Sequence, residues 1–343
     1  MSDTQTLDTA RVTEYLSTHL PGFEGPIDVT KFSVGQSNPT FLLKTKAKNY
    51  VLRRKPPGVL LKSAHAVDRE FRVQKALADT DVPVAKMYHL CEDDDVIGSM
   101  FYIMDHVDGR NFWEPTTPDL DPATRAAVID DMNRVLAALH DVDVDAVGLS
   151  DYGPPGNYFE RQISRWTKQY RASETAEIPS MNRLIDALTE RLPADDGQRG
   201  LVHGDYRIDN MMFEKNGPKC LAVLDWELST LGHPFADLGA VIMQWQMPPG
   251  REGRGLAGVD RKALGLLSDE EFIALYCERR GLKGIDDFGF YLAFNFFRMA
   301  AIIQGVLKRA LDGNASNPER GLKLGQFVPL FAENGLAALA KNK

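Results

Sequence analysis

The stretch His203-Gly204-Asp205-Tyr206-Arg207-Ile208-Asp209-Asn210 decides how this chain is read. Leu201-Val202 leads into it, and Met211-Met212-Phe213 follows. Next come a turn, Lys215-Asn216-Gly217-Pro218, and a second apolar run, Leu221-Ala222-Val223-Leu224, which ends at Asp225-Trp226-Glu227. Two short apolar runs joined by a turn read as paired strands. The polar loop ahead of them presents several carboxylates from a rigid base, which is where chemistry tends to sit.

Phosphoryl transfer needs these residue types. It requires a group that orients the acceptor hydroxyl, and hard oxygen ligands for Mg²⁺. Asp205 can align an attacking hydroxyl or accept its proton, which makes it the candidate catalytic residue. The Asn210 amide oxygen and the Asp225 carboxylate are candidate metal ligands. The order His-x-Asp-x-x-x-x-Asn, then a strand-terminal Asp, is that of kinase catalytic loops. ATP is the implied phosphate donor.

Outward from the loop, the chain divides in character. Asp8 to Leu20 reads as a helix, with Val12, Leu16 and Leu20 at helical spacing. Short β-like runs follow at Thr40–Lys44, Tyr50–Arg54, Val84–Leu90 and Phe101–Met104, interrupted by one helix near His65–Ala78. Residues 1–107 therefore form one expected lobe, a sheet with a prominent helix. Residues 108–343 form a second, mainly helical lobe, so the fold class is α+β. Asp121-Pro122 is a helix start. Val128, Met132, Val135, Leu136 and Leu139 then make one apolar face. Ser268 and Glu271 form a capping box. Pro318 to Lys341 reads as one closing helix.

Bulk properties narrow the function classes. The chain has 343 residues and a net charge of −8, which gives no support to a nucleic-acid partner. Cys91, Cys220 and Cys277 lie far apart without metal-ligand spacing, as expected of plain buried thiols in a reducing compartment. The N-terminus shows no basic region followed by an apolar run, and a cytoplasmic location is expected. Phe288 to Leu307 is apolar but carries Asn295, Arg298 and Gln304. An Arg at a membrane centre is costly, so a buried core helix is expected there and no membrane partner.

His203 to Asn210 with Leu224-Asp225-Trp226-Glu227 resembles the aminoglycoside phosphotransferase family, a small-molecule branch of the protein-kinase-like fold, over nearly the whole chain. The resemblance implies a two-lobed fold with an antiparallel sheet lobe and one key helix. It implies a nucleotide site with Gly35, Ser37 and Asn38 in the phosphate-covering loop. Arg53 stands where the family carries a phosphate-binding Lys, and Glu70 is its helix partner. The connector Met104 to Val107, with Asp105 and Val107, is placed to bind adenine. Arg53 is preferred to Arg54 because it shares a strand face with Val51. Arg offers a fork of donors, a different geometry from an ammonium. The covering loop holds one Gly rather than several.

Tyr50 to Gly58, Arg69-Glu70-Phe71-Arg72-Val73 and Phe296-Phe297-Arg298-Met299-Ala300 resemble the kinase-like domain fused to acyl-CoA dehydrogenases in larger proteins. That implies a small-molecule hydroxyl acceptor, a hydroxyacyl-CoA or another anionic metabolite, rather than an antibiotic. The loop after Trp245, with Arg251, Arg254, Arg261 and Lys262, suits an anion if it borders the acceptor site. A solvated surface loop is the alternative. A nucleotide-binding pseudokinase and an aminoglycoside kinase remain alternative functions. Several neighbours read as structural: His203 and Asp237 as loop supports, Arg207 and Asp209 as local charges, Glu227 as an outer group. His140 is expected on its helix's last carbonyls, and Arg298 in a core ion pair.

Overall fold

The computed structural model describes residues 7–32, 38–56, 66–250, 253–315 and 317–341. The chain forms two compact units. The first comprises Met1–Phe112, Asp143–Leu149 and Arg207–Ser229, and the second comprises Trp113–Val142, Ser150–Tyr206 and Thr230–Lys343.

In the first unit, helix α1 (Thr9–His19) begins where the Asp8 carboxylate accepts the Arg11 N–H. Strands β1 (Asp28–Lys31), β2 (Thr40–Lys44), β3 (Asn49–Arg54), β4 (Met87–Cys91) and β5 (Phe101–Asp105) form an antiparallel sheet. Its order is β1-β2-β3-β5-β4. Edge strand β1 reads Asp-Val-Thr-Lys and is largely exposed, so no apolar alternation announces it. Helix α2 (Val67–Ala76) lies between β3 and β4 in the chain.

The pleat sorts the side chains of this sheet between two faces. Phe41, Leu43, Leu52, Phe101 and Ile103 pack with Val12, Leu16 and Leu20 in one core cluster. Each fully buried aliphatic there is worth about 1.5–3 kcal/mol relative to exposure. Tyr102 packs with Val67 and Phe71 of α2 in another. Arg53 is the register partner of Tyr102, and directly opposed residues project to the same face. Arg53 therefore points toward α2. The unit also holds the hairpin of β7 (Met211–Phe213) and β8 (Cys220–Val223).

In the second unit, β6 (Gly200–Val202) pairs antiparallel with β9 (Thr230–Gly232). With this pair the unit contains helices α3 (Pro122–His140), α4 (Tyr158–Ser173), α5 (Pro179–Glu190), α6 (Phe235–Trp245), α7 (Arg261–Leu264) and α8 (Asp269–Arg279). The remaining helices are α9 (Phe288–Leu311), α10 (Pro318–Gly325) and α11 (Val328–Ala340). Asp121 caps α3 by accepting the N–H groups of Ala123 and Thr124, and the capping box of Ser268 and Glu271 starts α8. The expected closing helix is instead two, broken at Gln326 and Phe327. Helix α9 is long and apolar enough to cross a bilayer, but 67% of its apolar window is buried. It packs against α4, α6, α10 and α11. The three cysteines are buried and form no disulfide among the described residues.

Candidate active site

Alternation along β3 separates its two arginines. Arg54 turns away from α2, donating from Nε to Ser99 Oγ (2.9 Å) and from Nη2 to the Ile97 carbonyl (3.0 Å). Arg53 turns toward α2, where its Nε lies 2.8 Å from Glu70 Oε2. The Glu70 side chain is 2% exposed, so it needs partners to remain ionised. It accepts from Asn38 Nδ2 at 2.8 Å and from the Tyr102 hydroxyl at 3.1 Å. Burial pushes the Glu70 carboxyl upward, against the pull of Arg53 and Tyr102. Burial alone would lower the Arg53 pKa, but Glu70, Tyr102, Asp225 and Glu227 together raise it, so it stays charged.

Arg53 also reaches forward. Its Nη2 lies 3.2 Å from Asp225 Oδ1 and 3.8 Å from Glu227 Oε2. Asp225 stands two residues past β8, in the left-handed region at φ 63° and ψ 58°. Side chains rarely adopt that conformation, and Asp is among those that tolerate it. The Asp225 carboxylate is 40% exposed.

Asn210 ends a short 3₁₀ turn (Ile208–Asn210) just before β7. Met211 pairs with Val223, and the Leu224 N–H donates to the Asn210 carbonyl at 2.8 Å. The hairpin thus sets Asn210 across from the residue preceding Asp225. Asn111 Nδ2 donates to the carbonyls of Asp209 (2.6 Å) and Met211 (3.0 Å), pinning the backbone on either side of Asn210. Arg207 and Asp209 pair at 3.0 Å. One amide oxygen and one open carboxylate suit Mg²⁺, which takes one or two protein oxygens and fills its shell with phosphate and water. Among the described residues, no group of three or more His, Cys, Asp or Glu side chains is arranged to hold a metal ion by itself.

Asp205 belongs to the second unit, in the loop that leaves β6. Asp237, in the first turn of α6, accepts the N–H groups of His203 (2.6 Å) and Gly204 (2.9 Å). Gly204 has φ +85°, a conformation glycine adopts without strain. The Asp205 N–H donates to the His203 ring at 3.2 Å, and Arg298 Nη2 donates to the Gly204 carbonyl at 2.8 Å. Burial would raise the Asp237 pKa, yet the hydrogen bonds from His140 and the Gly204 N–H, with the electrostatic pull of the neighbouring imidazoles, hold it low. His140 lies 3.4 Å from Asp237 and 2.7 Å from the Tyr276 hydroxyl.

Two supporting residues differ from expectation. His140 serves Asp237 and Tyr276 rather than the last carbonyls of its helix. Arg298 holds the catalytic loop by a carbonyl rather than by an ion pair. Both bonds span long sequence separations, which no local pattern reports. Asn111 and Tyr102 also escaped the sequence reading, although the alternation of β5 places Tyr102 on the Arg53 face.

The remaining candidates are placed as follows. Asp105 ends β5, with its carboxylate 3.0 Å from Lys48 Nζ and its N–H donating to the Lys86 carbonyl. Val107 lies in the segment just beyond it. The Asn38 side chain is buried on Glu70, while Gly35 and Ser37 lie outside the described residues. After Trp245, Arg261 is paired with Asp269 at 2.6 Å and Arg254 lies over the Trp113 ring at 3.8 Å. Arg251 lies outside the described residues.

A model of the phosphotransferase enzyme family matches residues 28–274. Acyl-CoA dehydrogenase family member 10 of Mus musculus is 47% identical over 294 residues, 85% of this chain and 27% of that protein. Acyl-CoA dehydrogenase family member 11 of Rattus norvegicus is 43% identical over 332 residues, 94% of this chain and 42% of that protein. The chain therefore spans less than half the length of these relatives. A crystal structure of a proposed aminoglycoside phosphotransferase from Ralstonia eutropha JMP134 is 50% identical, with a TM-score of 0.91, covering 98% of this chain and 100% of that one. A spectinomycin phosphotransferase solved with ADP and spectinomycin has a TM-score of 0.64 at 12% identity, covering 97% of this chain and 99% of that one. The chain has the α+β, protein-kinase-like fold of these structures.

Proposed function

This chain belongs to the phosphotransferase enzyme family, and from that premise we propose that it moves the γ-phosphate of ATP to a hydroxyl of an anionic metabolite, a hydroxyacyl-CoA in particular. It is a phosphotransferase of the small-molecule kinase type. ADP in a solved neighbour supports ATP as the donor. The names of the relatives, acyl-CoA dehydrogenase family members, support an acyl-CoA acceptor.

In this reading the acceptor oxygen attacks the γ-phosphorus in line. The bond from phosphorus to the β,γ-bridging oxygen breaks, and ADP departs. Asp205 orients the hydroxyl and takes its proton. Its loop is held from Asp237 and Arg298, so little reorganisation is left for the moment of reaction. Asn210 and Asp225 would hold Mg²⁺, which when bound offsets charge on the phosphates. Arg53, oriented by Glu70, meets a phosphate oxygen with its fork of donors. Asp105 and Val107 lie on the segment assigned to adenine, and the backbone of Gly35 and Ser37 is assigned to the phosphates.

The observation that carries the reading is the run Glu70–Arg53–Asp225, with Asn210 across the hairpin. A coupled assay for ADP release tests it, using hydroxyacyl-CoA thioesters and kanamycin in turn with Mg-ATP. Turnover with a thioester is expected. Phosphorylation of kanamycin without thioester turnover would overturn the acceptor assignment.

A further inference from the structure

Helix α4 carries Arg161, Arg165, Lys168 and Arg171 against one carboxylate, Glu160, in a chain of net charge −8. Arg171 pairs with Glu174 at 2.6 Å. The others are not neutralised. Arg161 donates to the carbonyls of Pro155 and Gly156. Arg165 is exposed and lies 5.5 Å from the Trp166 ring centroid. From α9, Arg298 approaches the same ring at 5.8 Å. Among the described residues, no carboxylate is within ion-pair distance of Arg161, Arg165 or Arg298. The three also act together on the buried Tyr158 hydroxyl, opposing the upward push of its burial.

Gathered guanidinium groups repel one another, and this cluster has no internal counter-charge. Its position gives it a use. Arg298 donates to Gly204, the residue before Asp205, so the cluster begins one residue from the group assigned to the acceptor hydroxyl. Guanidinium forks match phosphate oxygens two at a time, and the Trp166 indole lies beside two of these cations. A polycationic acceptor would be repelled there.

We propose that Arg165 and Arg161, beside the Trp166 ring, form the subsite for the phosphate-bearing tail of the acceptor, and that Arg298 links this basic patch to the loop of Asp205. The proposal rests on the reading of Asp205 as the residue that receives the acceptor hydroxyl. It makes Arg165 a specificity determinant, while Arg298 positions the loop of Asp205.

Calorimetric titration of the full chain with coenzyme A tests this, with Mg-ADP saturating the nucleotide site. Pantetheine, which lacks the phosphates, is the neutral comparison. Coenzyme A is expected to bind and pantetheine to bind at least tenfold more weakly. Arg165→Glu is expected to weaken coenzyme A at least tenfold, with Mg-ADP affinity unchanged. Arg165 is exposed, so this variant leaves the core intact, and in turnover it raises the acceptor KM more than it lowers kcat. Binding that depends on Arg165 without phosphoryl transfer would uphold the subsite and refute the kinase reading. Transfer to a thioester with an unaltered acceptor KM in Arg165→Glu, or no coenzyme A binding to the wild type, would overturn the subsite.

Discussion

The Arg53 guanidinium lies 3.2 Å from the Asp225 carboxylate, although 172 residues separate them in the chain. Its other edge is held by Glu70 at 2.8 Å, so a single planar cation spans a buried acid and an open one. Lysine offers one point charge and cannot span both. Arg53→Lys is therefore expected to keep the Glu70 pair and lose the reach to Asp225. The expected cost is about tenfold in kcat/KM for ATP, about 1.4 kcal/mol. Steady-state kinetics at varied ATP measures it, and wild-type kinetics would remove Arg53 from the phosphate grip.

Glu70→Ala should act differently. It leaves Arg53 charged and mostly buried, without its principal partner. Breaking a buried pair from one side costs about 3–5 kcal/mol. Urea denaturation is expected to show a loss of that order, larger than the loss for Arg53→Lys.

Asp225→Asn removes the charge that faces the proposed Mg²⁺ and keeps the shape of the side chain. The expected result is at least a hundredfold fall in kcat, about 2.7 kcal/mol, with a higher Mg²⁺ requirement. A Mg²⁺ titration of activity checks it. An unchanged midpoint would take Asp225 out of the metal site.

Stability should fall on mild acidification. Burial holds the pKa values of His140 and His233 below the ordinary histidine value. In the unfolded chain these rings take up protons below about pH 6.5. The unfolded state then binds more protons than the folded one, so stability is full above that pH and declines below it. Asp237, whose pKa is also depressed, adds its loss only under stronger acid, below the ordinary Asp value. Urea midpoints at pH 7.5 and 5.5 should differ in that direction, and His140→Asn should narrow the gap. A higher midpoint at pH 5.5 would contradict the assignment.

The candidate loop stands out in the sequence because its residues lie close together. Asp205, Asn210 and Asp225 fall in order between and after two short apolar runs, and that order survives without any knowledge of packing. Strand alternation preferred Arg53 to Arg54, and the family resemblance named Glu70 as its helix partner, a pair that the structure closes at 2.8 Å. Long-range support was not legible. His140 meets Tyr276 across 136 residues, and Arg298 meets Gly204 across 94. Strand β1 was hidden for another reason: an exposed edge strand buries too little to show an apolar period.

The most direct test of the central claim follows the labelled γ-phosphate of ATP onto a hydroxyacyl-CoA with wild-type protein and with Asp205→Asn. The wild type is expected to place the label on the acyl hydroxyl in a Mg²⁺-dependent reaction. The variant is expected to bind Mg-ADP with wild-type affinity and to transfer at least a hundredfold more slowly. Undiminished transfer by Asp205→Asn would contradict the account.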